Sequence, residues 1–258
     1  MKAFILAAGE GKRLENFTEY VPKPLLPILG RPIICYSLAR LRQAGINQLL
    51  INTYHLGDKI RDFFEYHNNF GFEITFSAEE HLLGTGGALK KCADLLTEPF
   101  LLLNADIITD MNFFELVKRW DSISENSVLT LSGKSMEKNY SVAVCDGRIV
   151  DFSGLAASGK ADNFQYIGQA ILHPEILEYL PDGVSALTSN GFMGLLKNDS
   201  LGYYEHKSWW FDIGTRKRMK EAEKFLKAET GMTVLLNQEQ VEPRLSFLYK
   251  LYKDIVEL

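Results

Sequence analysis

Residue types that mark several other classes of protein are scarce in this chain of 258 residues. Its three cysteines, Cys35, Cys92 and Cys145, form no closely spaced pair. We therefore expect small hydrophobic thiols in a reducing compartment, not a disulfide framework. The five histidines are not paired at metal-ligand spacing, which argues against a zinc site.

Long apolar runs and an excess of positive charge are also missing. No stretch approaches the ~20 apolar residues of a membrane span, and the apolar N-terminus lacks the basic region and cleavage site of a signal peptide. We therefore expect a cytoplasmic protein that does not interact with membranes. The formal net charge of −5 provides no basic surface for nucleic acid, so any affinity for phosphate must be local and assisted by a metal ion.

The first residues of the chain form its most informative segment. Met1 to Ala8 is an apolar run without polar alternation, which is typical of a central strand buried on both faces. Gly9 and Gly11 follow it, and the absence of a Cβ would let backbone N–H groups approach a phosphate. Taken alone, a Gly-x-Gly is more often a tight surface turn. A dinucleotide fingerprint would need glycine in place of Leu14, and the Gly-Lys-Ser/Thr of a Walker loop is absent.

A second segment places one lysine between two prolines. Pro22 and Pro24 restrict the backbone on either side of Lys23, so this side chain is held in one direction. Together, L-A-A-G-x-G-x-R-L in residues 6–14 and P-K-P-L in residues 22–25 resemble the signature of the sugar-1-phosphate nucleotidyltransferases. Enzymes of this family transfer a nucleotidyl group from a nucleoside triphosphate to a sugar-1-phosphate and release pyrophosphate. The resemblance implies Arg13 and Lys23 as catalytic residues.

The order of secondary structure predicts the fold class. A helix over 32–44, a strand Gln48–Asn52, a helix Gly57–Tyr66 and a strand Phe72–Ser77 alternate with short connections. This order predicts an α/β fold with a mostly parallel sheet, flanked by helices, whose ligands bind at the carboxyl ends of the strands. The resemblance implies the same Rossmann-like architecture, the nucleotide-diphospho-sugar transferase fold.

The second half of the chain has a different pattern. From Ser127 onward, alternating strands and the hairpin signal Asp146-Gly147 predict a small antiparallel lobe that would bind the acceptor sugar. We expect residues 1–230 to form the catalytic domain. An amphipathic helical extension over 231–258 would pack on that domain or on a second subunit of a homodimer.

A glycine-rich segment from Glu79 to Ala88 leaves a strand and enters a helix, so we expect its backbone donors to point outward at the helix N-terminus. A flexible turn with a helix cap is the alternative. In the family, a similar segment lies against the base and ribose, and the choice between Glu79 and Glu80 for its acidic position stays open. The nucleotide-binding residues implied by the resemblance are Leu6, Ala7, Ala8, Gly9, Gly11, Glu79, Glu80, Gly84, Thr85 and Asn104.

Two aspartates far apart in the sequence each end a predicted strand. Asp106 follows the apolar run Phe100–Leu103, and a carboxylate there is costly unless a cation or a donor meets it. Asp110 better fits the N-cap of a helix over Phe113–Trp120. The family carries (N/G)-(G/A)-D and D-(I/V/L)-G-T at the two strand ends, so the resemblance implies that Asp106 and Asp212 hold Mg²⁺.

The match to the family is weaker on the acceptor side. Ser141 replaces a glycine after Tyr140, and residues 151–153 lack the family's E-K-P. By resemblance, Tyr140 and Gly168 are still sugar-binding residues, and a glycine inside a strand indicates a close approach or a bulge.

The short length, the missing E-K-P and the Leu-Leu-Gly-Thr-Gly-Gly run resemble the short uridylyltransferases that act on N-acetylmuramate-1-phosphate. Mannose-1-phosphate guanylyltransferases are the next match, followed by glucose-1-phosphate or phosphocholine nucleotidyltransferases. A sugar-nucleotide sensor without turnover is the alternative from another class. Such relatives typically lose the loop arginine, the lysine or one of the two metal aspartates. This chain keeps all four residues, which are Arg13, Lys23, Asp106 and Asp212.

Overall fold

The computed structural model describes residues 1–14, 17–134 and 140–229. The strands are β1 (Lys2–Leu6), β2 (Pro27–Ile28), β3 (Arg31–Pro32), β4 (Gln48–Thr53), β5 (Glu73–Ala78), β6 (Phe100–Asn104), β7 (Ile107–Thr109), β8 (Ser127–Ser132), β9 (Ala143–Cys145), β10 (Arg148–Asp151), β11 (Gln165–Leu172), β12 (Leu201–Glu205) and β13 (Trp210–Asp212). The α-helices are α1 (Phe17–Tyr20), α2 (Ile33–Gln43), α3 (Gly57–Tyr66), α4 (Gly84–Lys91), α5 (Phe113–Trp120), α6 (Met193–Lys197) and α7 (Arg216–Glu229). The predicted extension over 231–258 lies outside the described residues.

Seven strands form one central sheet in the order β12, β8, β11, β6, β1, β4, β5. The pairs β1–β4, β1–β6, β4–β5 and β8–β12 are parallel, and only β11 runs antiparallel to its neighbours β6 and β8. The expected mostly parallel sheet is therefore confirmed. The carboxyl ends of β1, β4, β5 and β6 lie along the same edge.

Both faces of the sheet are covered. Ala3 and Ile5 point into a core shared with α2, α3, α5 and α7, whereas Phe4 points into a second core shared with α4 and the segment Leu187–Phe192. All three side chains are fully buried. Burial on both faces explains why β1 is apolar from Ala3 to Leu6.

The predicted antiparallel lobe is smaller than expected. Among the described residues from Ser127 onward, β9 and β10 form a separate hairpin, whereas β8, which was expected in the lobe, lies inside the main sheet between β11 and β12. Every residue of β8 is buried. Thr130 meets its polar requirement by donating a hydrogen bond to the backbone oxygen of Gln169 at 2.7 Å.

The cap of α5 is Asn112 and not Asp110, which corrects the expectation from sequence. The Asn112 side-chain oxygen accepts hydrogen bonds from the backbone N–H groups of Phe114 and Glu115 at 3.0 and 3.4 Å. Asp110 lies too early in the chain to reach these donors. Its carboxylate instead contacts His206 and Ser208.

The scarce residue types behave as ordinary structural groups. All three thiols are free; Cys92 is buried and the other two are half-buried. Burial raises the pKa of Cys35 to about 12, so this thiol stays protonated at neutral pH.

Among the helices of the described ranges, none combines the length and apolar content that crossing a bilayer requires.

Replacing Gly168 by alanine tests how tightly β11 is built against its neighbours. Gly168 has φ +83°, and a Cβ there would lie 2.9 Å from Asn104 Nδ2 and 2.9 Å from Ile107 Cγ1. Left-handed strain and crowding together should lower the free energy of unfolding by about 3 kcal/mol. Gly147→Ala is the control, because Gly147 has φ +76° with nothing within 4 Å of its Cβ position. Urea denaturation should show a loss of only about 1 kcal/mol for the control; equal losses would contradict the crowding.

Candidate active site

A cleft with a volume of about 370 Å³ opens where β1, β4 and β6 end. Because parallel strands end at the same edge, loops from distant parts of the chain meet there. Its lining includes the predicted residues Leu6, Ala7, Ala8, Gly9, Gly11, Arg13, Lys23, Gly84, Thr85, Asn104 and Asp106. A second groove of about 460 Å³ lies beside the edge strand β12 and has none of the predicted residues in its lining.

The loop after β1 is fixed by a tight turn at Gly11. Gly11 has φ +68°, and a Cβ on it would lie 2.6 Å from Thr18 Cγ2. Its backbone oxygen accepts hydrogen bonds from Leu14 N at 2.8 Å and from Thr18 Oγ1 at 3.2 Å. Only glycine fits this backbone conformation without strain. The turn leaves Arg13 exposed at the cleft.

A buried hydrogen-bond chain ties this loop to the start of α4. Ala7 N donates to Asn52 Oδ1 at 2.8 Å, and Asn52 Nδ2 donates to Glu79 Oε1 at 2.7 Å. The other carboxylate oxygen of Glu79 accepts from Leu83 N at 2.9 Å. Glu79 is therefore buried and positions the backbone, whereas Glu80 is exposed. Neither glutamate lines the cleft, and their contact with a nucleoside stays a prediction.

Two glycines of α4 make a backbone contact that the sequence did not predict. The N–H groups of Gly86 and Gly87 do not point outward; both donate to the Ser185 backbone oxygen, at 2.9 and 3.4 Å. A Cβ on Gly87 would lie 2.1 Å from the Gly183 oxygen. These glycines thus allow the chain around Ser185 to approach the helix. Thr85 lines the cleft while its hydroxyl accepts a hydrogen bond from Leu187 N at 2.9 Å.

The two aspartates predicted from the sequence meet at the end of a short ribbon. β7 and β13 pair antiparallel with Asp212 opposite Ile107, and Ile213 N donates to the Asp106 backbone oxygen at 2.9 Å. The side chains of Asp106 and Asp212 each retain 24% of their exposure. The structure therefore brings the two carboxylates together at the edge of the cleft.

Three basic side chains surround these carboxylates. Lys23 Nζ pairs with Asp106 Oδ2, and Arg218 Nη1 donates to Asp212 Oδ2 at 2.6 Å. Arg13 is also close, because Arg13 Nη2 and Asp212 Oδ1 both lie 3.0 Å from the position a Cβ would take on Gly214. The negative charge of the site is thus matched by neighbouring cations.

The environment of Asp212 is unfavourable for its charge. Burial raises the pKa of the Asp212 carboxyl above its usual range, and the Asp106 carboxylate raises it further; the nearby basic side chains oppose the shift. Asp212 Oδ1 is buried and accepts no hydrogen bond from any residue that the structure describes. Carboxylate oxygens suit a hard divalent cation such as Mg²⁺. Asp106 and Asp212 could hold such an ion.

The two predicted sugar-binding residues lie apart from the lining of the cleft. The Tyr140 hydroxyl donates to the Gly133 backbone oxygen at 3.0 Å. Gly168 lies where the pairing of β11 with β8 slips, and its close neighbour is the Asn104 side chain. The slipped pairing agrees with the expected bulge at Gly168. Contact of either residue with a sugar stays a prediction.

Sequence reasoning missed two site residues, Asn52 and Arg218. Asn52 is the last residue but one of β4, and Asn104 is the last residue of β6, so the same pattern of an asparagine after an apolar run could have identified it. Arg218 offers no comparable signal, because its partner Asp212 precedes the helix and an arginine in a helix is usually solvated.

Comparison with known proteins gives the family. Residues 2–229 match the nucleotidyl transferase family, and the chain belongs to it. N-acetylmuramate alpha-1-phosphate uridylyltransferase from Neisseria meningitidis serogroup B is 32% identical over 231 residues, which cover 86% of this chain and 97% of that protein. The catalytic subunit beta of mannose-1-phosphate guanylyltransferase from Xenopus tropicalis is 29% identical over 84% of this chain, which spans only 62% of that protein.

A solved structure agrees with this assignment at the level of the fold. A Bacillus anthracis protein named as a glucose-1-phosphate thymidylyltransferase superposes with a TM-score of 0.74 at 23% identity, over 87% of this chain and 94% of that one. Together with the family match, these relatives confirm the prediction of an enzyme of the sugar-1-phosphate nucleotidyltransferase class.

Replacing Asn52 by alanine tests the buried chain between β1 and α4. The Ala7 N–H and the Glu79 carboxylate would each lose a buried partner, so the free energy of unfolding should fall by about 2–4 kcal/mol. Gln48→Ala is the control, because Gln48 lies on the same strand as Asn52 and makes an exposed hydrogen bond to Glu73 of β5. Urea denaturation should show a change of no more than ~0.5 kcal/mol for this surface residue. Similar losses in both variants would contradict the bridging role of Asn52.

Proposed function

We propose that the chain transfers a uridylyl group from UTP to an amino-sugar-1-phosphate such as N-acetylmuramate-1-phosphate. The products are pyrophosphate and a UDP-sugar. The observation that carries the chemistry is the meeting of Arg13, Lys23, Asp106 and Asp212 at one cleft. The choice of base and sugar is supported by the Neisseria uridylyltransferase, because the similarity extends over 97% of that protein.

The reaction needs alignment and charge neutralisation more than covalent help. An oxygen of the sugar phosphate forms a bond to the α-phosphorus of the triphosphate, and the bond to the bridging oxygen breaks. Pyrophosphate leaves with the electron pair. Backbone donors from Ala8 to Gly11 would hold the triphosphate, and Arg13 would bind the leaving pyrophosphate with its planar guanidinium.

Lys23 would have one role before substrate binds and another after it. In the described structure its ammonium pairs with Asp106, and its side chain is only 11% exposed. An incoming phosphate would offer this ammonium new oxygen partners. Lys23 would then span the α-phosphate and the sugar phosphate, so that the two reacting groups approach despite their negative charge.

Asp106 and Asp212 would hold Mg²⁺, which supplies positive charge to the phosphates when it is bound. The unpartnered, buried Asp212 Oδ1 fits this role. Within the described ranges, no group of three or more His, Cys, Asp or Glu side chains could hold a metal ion. Two carboxylates completed by substrate phosphates are a common arrangement for Mg²⁺.

Guanylyl transfer to mannose-1-phosphate is the second candidate, because the Xenopus relative is almost as similar over the shared region. Thymidylyl or uridylyl transfer to glucose-1-phosphate and transfer to phosphocholine follow. A sensor without turnover is disfavoured by the intact set of two basic and two acidic side chains. Assembly into a homodimer remains a prediction.

A screen for pyrophosphate release tests the substrate assignment. UTP, GTP, dTTP and CTP are each combined with N-acetylmuramate-1-phosphate, mannose-1-phosphate, glucose-1-phosphate and phosphocholine in the presence of Mg²⁺. We expect UTP with the amino-sugar phosphate to give the highest kcat/KM, and chelation of the metal to abolish release. Preference for GTP and mannose-1-phosphate would overturn the substrate but keep the class. Calorimetric binding of nucleotide without any release would favour the sensor.

Substitution of the charged residues tests their roles in turnover. Lys23→Ala, Asp106→Asn and Asp212→Asn should each lower kcat by about 10²–10³, the effect of deleting one charge-stabilising group in other enzymes. Lys118→Ala and Asp58→Asn are the controls, because both residues are exposed, on α5 and α3, and neither lines the cleft. Steady-state pyrophosphate release provides the measurement. Turnover near the wild-type rate in any of the three variants would refute the role of that residue.

A further inference from the structure

Arg218 reaches Asp212 from the first turn of α7. Its Nη1 donates to Asp212 Oδ2 at 2.6 Å, and its side chain is only 17% exposed. The backbone that carries it is fixed, because Arg218 N donates to Thr215 Oγ1 at 3.3 Å. On the same turn, the Arg216 guanidinium lies 4.4 Å from the centre of the Phe17 ring. The start of α7 is therefore anchored on both sides of the ion pair.

The pair divides the two oxygens of Asp212 between different environments. Oδ2 is held by Arg218, whereas Oδ1 is buried without a hydrogen-bond partner among the described residues. Asp106 has its own cation, since Lys23 pairs with its Oδ2. Lys23 lines the cleft, but Arg218 is not among the lining residues. Asp212 is not among them either, and Arg218 acts on it through their direct hydrogen bond.

We propose that Arg218 is a positioning residue that serves as the resident counter-cation of Asp212. It keeps Oδ1 available as the ligand oxygen and lowers the affinity of the site for a free divalent cation. A metal ion that arrives with a triphosphate binds more readily, because the phosphates supply additional negative ligands. This inference rests on the proposed role of Asp106 and Asp212 in metal binding.

The chemistry of arginine suits this role. A guanidinium stays protonated across the whole physiological pH range, so the ion pair is not released by loss of a proton. Its positive charge at hydrogen-bond distance from Oδ2 repels a second cation, and low solvent exposure limits the screening of that repulsion. A flexible, exposed arginine would have little such effect.

Calorimetric titration of the nucleotide-free full chain with Mn²⁺ tests the proposal. Arg218→Gln should bind Mn²⁺ about tenfold more tightly than the wild type, because one partly shielded positive charge is removed. Arg218→Lys keeps the charge and should remain near the wild-type affinity. Lys217→Gln is the matched control, since Lys217 is the preceding residue of α7, its side chain is 74% exposed, and it pairs only loosely with Glu221 at 3.9 Å. Its Mn²⁺ affinity should not change.

An unchanged or weaker Mn²⁺ affinity in Arg218→Gln would overturn the proposal. If that variant or Arg218→Ala does not fold alone, thermal melts should show that millimolar Mn²⁺ restores folding by replacing the missing charge. If these neutral variants stay unfolded with Mn²⁺, the role of Arg218 is purely structural and the proposal is wrong. Absence of Mn²⁺ binding in every variant would also overturn the counter-cation role, whereas pyrophosphate release by the wild type would still support the proposed function.

Discussion

The site depends on two carboxylates that the backbone forces together. Pairing of β7 with β13 sets Asp212 beside Asp106, and each of the two side chains is only 24% exposed. Two neighbouring carboxylates destabilise each other's charged form unless cations neutralise them. Lys23 and Arg218 provide that neutralisation, one for each carboxylate. The short ribbon and its four charges therefore form one unit, although their residues come from three distant parts of the chain.

The rest of the cleft is rigid for a related reason. The loop after β1, the end of β4 and the start of α4 are joined by buried hydrogen bonds through Asn52 and Glu79. Because the loss of any one of these hydrogen bonds would leave a buried polar group unsatisfied, they act together as one network. Such a network holds backbone donors in place before a ligand arrives, which is the arrangement that efficient group transfer requires.

Local patterns predicted the local features of the fold well. The bounds of α3 and α5 were those expected, and the apolar runs correctly indicated central strands. Patterns failed where a distant segment decides the outcome. Every residue of β8 is buried, although its own sequence does not show which strands lie beside it. Two glycine N–H groups of α4 donate to the backbone oxygen of Ser185, which lies far along the chain. Arg218 was missed for the same reason, because its role exists only through Asp212.

The local electrostatics of the cleft differ from those of the whole protein. The chain carries a net charge of −5, yet Arg13, Lys23 and Arg218 all act on the Asp212 carboxyl, and Lys23 also pairs with Asp106. With two carboxylates against three cations, the ligand-free site has a positive local balance. Under the proposed function, a free divalent cation would gain little there, whereas a triphosphate that carries its own metal would gain from both signs of charge. A negative net charge and an affinity for phosphate are therefore compatible, because these basic side chains lie where the strands end.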